Sequence, residues 1–274
     1  NYVLIYGKFG APQLGARGAA IGTLVARIAE CAVLLVYIAK KEGKLHLKLR
    51  DYFRRDRLLA GDYFRVCLPM LAVQGLWGLN TALQTVILGH MSAAAIAANS
   101  AASTLFLLVK SMSVGSSATA SVIVGKTIGT GNIPLVKHYS SVMQRMFLVI
   151  GLISGLLLFV IRIPVMTLYD LSPEAMEMMN TFLIILSVVC VGMSYQMPTN
   201  NGIIRGGGNA MFVVKMDLVS VWMIVIPLSF VMAFVVKASP AVVVCCLNAD
   251  QIFKCVPAFL ESHYGNWIRK VTRE

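Results

Sequence analysis

Charge is what this sequence has least of. Asp, Glu, Lys and Arg together make up 13% of its 274 residues, about half the ~25% of an ordinary soluble domain. Acidic side chains are the scarcest, 12 against 24 Lys and Arg. The six cysteines, Cys31, Cys67, Cys190, Cys245, Cys246 and Cys255, form no Cys-x-x-Cys pair. Most lie inside apolar runs, where a thiol behaves as a small hydrophobe. The four histidines, His46, His90, His138 and His263, are scattered without metal-ligand spacing, so no metal centre is expected. These shortages exclude a disordered chain, a disulfide-stapled secreted domain and an ordinary cytosolic enzyme. Near the start, no basic stretch leads into a short apolar core and a small-residue cleavage site, so no signal peptide is read. The first residue is Asn1 rather than Met, and the chain reads as a fragment or processed piece.

What is abundant is apolar. The hydrophobic set reaches 58% and the mean hydropathy is +0.76, which points to a chain whose main solvent is lipid. A bilayer crossing takes ~20 mostly apolar residues. Seven runs qualify: 16–38, 66–88, 94–124, 142–168, 176–204, 216–236 and 241–260. They must be helices, because lipid offers no partner to an unpaired backbone amide. They are too long and continuous for the alternating strands of a barrel. The expected fold class is therefore all-α, a polytopic transmembrane helical bundle.

The net charge of +12 is concentrated rather than spread. Lys40, Lys41, Lys44, Lys48, Arg50, Arg54, Arg55 and Arg57 share one hydrophilic stretch between apolar runs. That placement argues for a cytoplasmic loop under the positive-inside rule, not for nucleic acid. With residues 39–65 inside, the remaining connections alternate. Lys126 and Lys137 fall inside, Asp170 and Glu174 outside, Arg205 and Lys215 inside, Lys237 outside. The tail 261–274, with Arg269, Lys270 and Arg273, falls inside. A multi-pass protein of the plasma (inner) membrane with a cytoplasmic C-terminus is expected.

Polar residues recur on single helix faces. Asn99, Ser103, Phe106, Lys110, Ser113 and Ser117 stand at i, i+4, i+7, i+11, i+14 and i+18, one narrow stripe at ~100° per residue. Lys110 is mid-span, where a charge facing lipid costs at least ~2.5–3.5 kcal/mol. The stripe must therefore look into a bundle or a wet cavity. Gln74, Trp77, Asn80, Thr81 and Gln84 share a side of the second run, and Gly192, Gln196, Thr199 and Asn200 cluster on the fifth, beside Asn201. Each residue alone is equally consistent with helix–helix hydrogen bonding, but three such faces can surround a water-accessible pocket. The candidate cavity lining is Gln74, Asn80, Gln84, Asn99, Ser103, Lys110, Gln196 and Asn200. Other intramembrane charges read as structural: Arg27 with Glu30 at i,i+3, Asp250 with Lys254 at i,i+4, and Arg205 with Asp217 across a loop. Prolines 69, 164, 198, 227 and 257 lie in or at the ends of the runs, as packing kinks or as hinges.

Five segments in order resemble one family. Gly15-Ala16-Arg17-Gly18-Ala19-Ala20 with Ala26-Arg27-Ile28 is similar to the sixth helix of the MATE (multidrug and toxic compound extrusion) transporters. Gly125-Lys126-Thr127-Ile128-Gly129-Thr130-Gly131-Asn132 resembles the loop between that family's eighth and ninth helices, and Ile204-Arg205-Gly206-Gly207-Gly208-Asn209 the loop after its tenth. Asp217-Leu218-Val219-Ser220-Val221-Trp222 with Ile226-Pro227-Leu228 resembles the eleventh helix. Gly265-Asn266-Trp267-Ile268-Arg269-Lys270-Val271-Thr272 resembles the tail. The resemblance covers essentially the whole chain. It implies one six-helix lobe of a twelve-helix, two-lobe transporter plus one preceding helix. The divisions are 1–38 as the end of the N-terminal lobe, 39–65 as the basic loop, 66–260 as the C-terminal lobe and 261–274 as the tail. It further implies export of organic, often cationic, compounds in exchange for H⁺ or Na⁺. The partners are then small-molecule substrates, the bilayer and a missing N-terminal lobe. Acids that some members carry on the seventh and tenth helices are absent here, their places falling near Trp77 and at Pro198. No catalytic residue and no cofactor beyond the coupling ion is expected. The rival readings are a lipid-linked saccharide flippase of the same superfamily, an integral-membrane enzyme, which would need convergent acid/base groups, and a membrane subunit that does not transport.

Overall fold

The computed structural model describes residues 5, 7, 14–41, 57–167, 169 and 171–268. Contacts divide the chain into two units, Asn1–Leu68 and Pro69–Glu274. The first holds helix α1, Gly15–Lys41. Its Arg27 and Glu30 pair at 2.6 Å, one turn apart on the helix, with both side chains exposed on this unit. The division falls inside helix α2, Arg57–Met91. Residues 57–65, read from sequence as loop, are thus helical, while 42–56 lie outside the described residues.

The second unit continues with α3 (Ala93–Gly129), α4 (Ile133–Met166), α5 (Pro173–Ile204), α6 (Ala210–Val235) and α7 (Pro240–Tyr264). Among the described residues six helices, α1 and α3 to α7, are long and apolar enough to cross a membrane. The expected run 66–88 lies within α2. The helices outrun the apolar segments that announce them. At 37 residues, α3 is about 55 Å long, against a hydrocarbon core of ~30 Å. Capping explains where they start. Ser92 Oγ accepts the Ala95 N–H at 3.0 Å, Asn132 Oδ1 the Leu135 N–H at 3.1 Å, and Ser172 Oγ the Ala175 N–H at 3.3 Å. Each satisfies a donor that the first turn leaves free. The connections shrink accordingly, and Lys126 and Lys137, read as loop residues, stand on helix ends.

The bundle is apolar outside and small or polar inside. Leu107, Leu108, Leu152, Leu156, Ile163, Met223 and Val256 are exposed, while Ala98, Ala102, Ser113, Ser154, Ser187 and Ser194 are buried. In lipid, burying Leu gains little, and association depends on close backbone approach. Gly155 shows this on the α4–α5 contact: a Cβ there would stand 2.6 Å from the Ser187 carbonyl oxygen. Helix α5 is central and packs on α3, α4, α6 and α7. At the end of the bundle carrying the α3–α4 and α5–α6 connections, the fully buried Trp267 sits among Val124, Val136, Ile203, Ile204 and Val213. Its indole N–H donates to the Ser262 carbonyl at 2.9 Å, and its ring lies where a side chain on Gly207 would be. Residues 261–268 are therefore part of the packed lobe, not a free tail. Residues 269–274 lie outside the described residues.

Helices α5, α6 and α7 each depart locally from α geometry, with a proline at or near most of the departures. Pro198 opens a wide π turn, Pro198–Ile204, because it has no N–H and its ring crowds the carbonyl four residues back. In α6 wide turns flank the segment holding Pro227. In α7 the α-helix is interrupted at Ala249 and again at Lys254, the second just before the turn containing Pro257.

A buried ion network between α5, α6 and α7

Lys254, at an interruption of α7, lies in the interior. This side chain is 1% exposed. Its ammonium donates to Asp217 Oδ1 of α6 at 2.9 Å and to Asp250 Oδ2, one turn back on α7, also at 2.9 Å. Asp250 is buried as well, whereas the Asp217 side chain keeps 22% of its surface. One lysine against two carboxylates leaves a formal charge of −1 in the interior of an apolar bundle. Such a group is costly unless every charge is paired and hydrogen-bonded.

A chain of amides continues from Asp250. Gln251 Nε2 donates to Asp250 Oδ2 at 2.9 Å. Gln196 Nε2 of α5 donates to Gln251 Oε1 at 2.8 Å. Asn200 Nδ2 donates to Gln196 Oε1 at 3.0 Å. Every amide points its N–H₂ toward the carboxylate, as an ionised acceptor demands. The chain ends at Asn200 Oδ1, which is buried and has no partner among the described residues. An orphaned buried acceptor costs about 1–3 kcal/mol. The wide turn after Pro198 carries Asn200, whose backbone carbonyl accepts the Arg205 N–H at 2.9 Å.

On its exposed side Asp217 borders a narrow cleft between α2 and α6. The walls are Leu76, Trp77 and Asn80 from α2 and Leu218, Val221 and Trp222 from α6. Asn80 is 3% exposed, and its Oδ1 accepts from Gln84 Nε2 at 3.3 Å.

The eight residues proposed from sequence do not form one surface. Gln196 and Asn200 join the amide chain. Asn80, with Gln84 a turn beyond it, stands across the cleft from Asp217. Gln74 is exposed on α2. Along α3 the stripe runs at the edge of the buried face: Ser103 is exposed, Asn99 and Lys110 are half-buried, Ser113 and Ser117 are buried. Ser113 Oγ meets Ser194 Oγ of α5 at 3.0 Å, so that half of the stripe is a helix–helix contact. Lys110 has no hydrogen-bond or ion-pair partner among the described residues. Sequence reasoning undervalued Asp217, Asp250, Gln251 and Lys254. The signal was present, since ionisable residues inside spans mark function by default. The i,i+4 spacing of Asp250 and Lys254 hid it by supplying a local partner, and Asp217, expected to reach across its loop to Arg205, takes Lys254 instead.

The fold and this interior define a polytopic helical membrane protein with a polar, ionised core. The MatE family model matches residues 69–231, and the chain belongs to the MATE family, whose members are transporters and not enzymes. It is 27% identical over 242 residues to "Probable multidrug resistance protein NorM" of Halalkalibacterium halodurans, covering 85% of this chain and 51% of that protein. With a protein of the same name from Thermotoga maritima it shares 24% over 280 residues, 100% of this chain and 59% of the relative. The chain thus spans between half and three-fifths of the curated relatives it matches. Among solved structures, a Vibrio cholerae MATE transporter, VcmN, in its bent form superposes with a TM-score of 0.71 at 16% identity, over 96% of this chain and 58% of that one. The outward-facing conformation of a multidrug resistance MATE family transporter of the MOP superfamily superposes at 0.78 with 17% identity, over 95% and 57%.

Proposed function

We propose that this chain supplies the C-terminal six-helix lobe, residues 66–260, and the preceding helix of a secondary-active antiporter that exports organic, mainly cationic, compounds in exchange for H⁺ or Na⁺. The second lobe of the same protein completes the pathway. The transporter sits in the plasma (inner) membrane with 261–274 toward the cytoplasm. The reading is carried by one observation: a hydrogen-bonded, ionised interior inside a family-assigned bundle whose outer surface is Leu, Ile and Val. The names of the relatives, which speak of multidrug resistance, support the substrate class. The basic connections support the orientation. Two lobes rocking about a midplane site is the physical scheme such carriers use. Exchange follows if ion and substrate prefer different states or compete for one. The half-open sides of α2 and α3, with Gln74, Gln84, Asn99, Ser103 and Lys110, face the pathway in this scheme.

The test is transport in proteoliposomes holding the full-length transporter that contains this chain. A fluorescent organic cation is expected to move uphill when an opposing H⁺ or Na⁺ gradient is imposed and to stop when the gradient is collapsed. Movement that ignores both gradients would remove the antiport reading.

A further inference from the structure

The buried network has a direction, and that direction depends on the ionisation of one group. With Asp250 charged, each amide in turn donates toward it: Gln251 to Asp250 at 2.9 Å, Gln196 to Gln251 at 2.8 Å, Asn200 to Gln196 at 3.0 Å. What remains at the far end is an acceptor, Asn200 Oδ1, buried and unmatched among the described residues. We propose that Asp250 is a proton-binding site and that the amides Gln251, Gln196 and Asn200 transmit its state, exchanging an acceptor for a donor at Asn200 when the proton binds.

The chemistry follows from the donor inventory. A carboxylate only accepts, but a carboxylic acid also donates. One proton passes from hydronium to Asp250: an O–H bond breaks in the donor, which leaves as water, one forms on the carboxylate, and the hydrogen bond from Gln251 Nε2 is given up. That O–H then donates to Gln251 Oε1, which requires the Gln251 amide to turn over. Gln251 Nε2 donates to Gln196 Oε1, and Gln196 Nε2 to Asn200 Oδ1. The orphan oxygen gains a partner, and Asn200 Nδ2 is left free as a donor. Lys254 stays an ammonium. Its bond to Asp217 Oδ1 at 2.9 Å balances the remaining carboxylate, so the cluster passes from −1 to neutral. Neutrality is the cheaper state inside an apolar bundle, and the −1 state is retained only while two donors hold the carboxylate.

The groups around Asp250 leave it as the pivot. Its own helix supplies Lys254 and Gln251, and α6 supplies Asp217 through that lysine. Helix α5 turns the neutral Gln196 toward it. The titratable Tyr195 of α5 and Cys255 of α7 line a different groove, between α4, α5 and α7. Cys190 contacts Ser194 at 3.9 Å. Cys246 stands one turn back on α7. The inference rests on the transporter reading for its purpose but not for its measurement.

Infrared difference spectra between neutral and acidic pH, on the full-length protein in lipid, read carboxyl protonation directly without transport. A protonated-carboxyl band is expected at acid pH. It should vanish in Asp250→Asn, shift in Asp250→Glu and persist in Asp217→Asn. Side-chain amide bands should change with it in the parent and lose part of that change in Asn200→Ala. A carboxyl band that survives Asp250→Asn, or one lost in Asp217→Asn and retained in Asp250→Asn, overturns the assignment. Amide bands that ignore pH overturn the relay. If Asp250→Asn does not fold, the band's failure to shift in Asp250→Glu decides against it. Loss of gradient-driven transport with these spectra intact would reject antiport and leave this inference standing.

Discussion

Lys254 is the residue on which the lobe's interior charge balance depends. It bonds two carboxylates that lie on different helices, so removing it leaves Asp250 buried and Asp217 half-buried without that cation. Lys254→Ala is expected to destabilise the protein by about 3–5 kcal/mol, the usual consequence of stranding a buried charge. Replacing all three members together, Asp217→Leu, Asp250→Leu and Lys254→Met, is expected to be less destabilising than Lys254→Ala, because the desolvation cost goes with the attraction and only the Gln251 Nε2 donor loses its acceptor. Thermal unfolding in detergent compares the two. If the triple replacement is as unstable as the single one, the network holds the fold together rather than serving the transport cycle.

Among the elements, α4 and α5 form the pairing most exposed to a single change. Gly155 brings the two backbones together, and the added Cβ would stand 2.6 Å from the Ser187 carbonyl. Gly155→Leu must separate the helices, with losses at Ser154, Ser187 and Ser194 as well. Overpacking of this kind costs about 1–3 kcal/mol. The expected readout is a lower melting temperature with lower membrane yield, and Gly125→Leu, at an open position, serves as the control. The helix starts belong to this scale too. Hydropathy marks where lipid begins, but a helix continues as long as its amides find partners. Ser92, Asn132 and Ser172 provide them beyond the apolar run. That is why residues 125–141, read as loop, prove to be mostly helix.

At the scale of the whole molecule, the half-buried Lys110 on α3 is a mid-span charge that its own lobe does not explain. It has no partner among the described residues of this lobe, as a group meeting the transport pathway would have none. In the full-length transporter, Lys110→Gln is expected to lower dye efflux several-fold or to change its dependence on the driving ion. The measurement is efflux under imposed H⁺ and Na⁺ gradients. Unchanged rate and unchanged ion dependence would remove Lys110 from the mechanism.

Periodicity is a local property, and much could be read from it. The class of fold, the helical runs, the lipid-facing residues and the polarity of individual helix faces follow from spacing along one helix, where geometry is known in advance. The family resemblance added the order of the lobe, and the fold agrees with it. Contacts between helices are another matter. Whether Asp217 would meet Arg205 or Lys254, whether Ser113 would line a cavity or bond to Ser194, and whether Trp267 would hang in a tail or fill a socket above Gly207 all depend on residues 37 to 81 positions apart or on the closeness of two backbones. Spacing within a helix carries no information on these pairings, because a polar face satisfies the same pattern whether it meets water or another helix. Only the packing of the helices against one another decided between them.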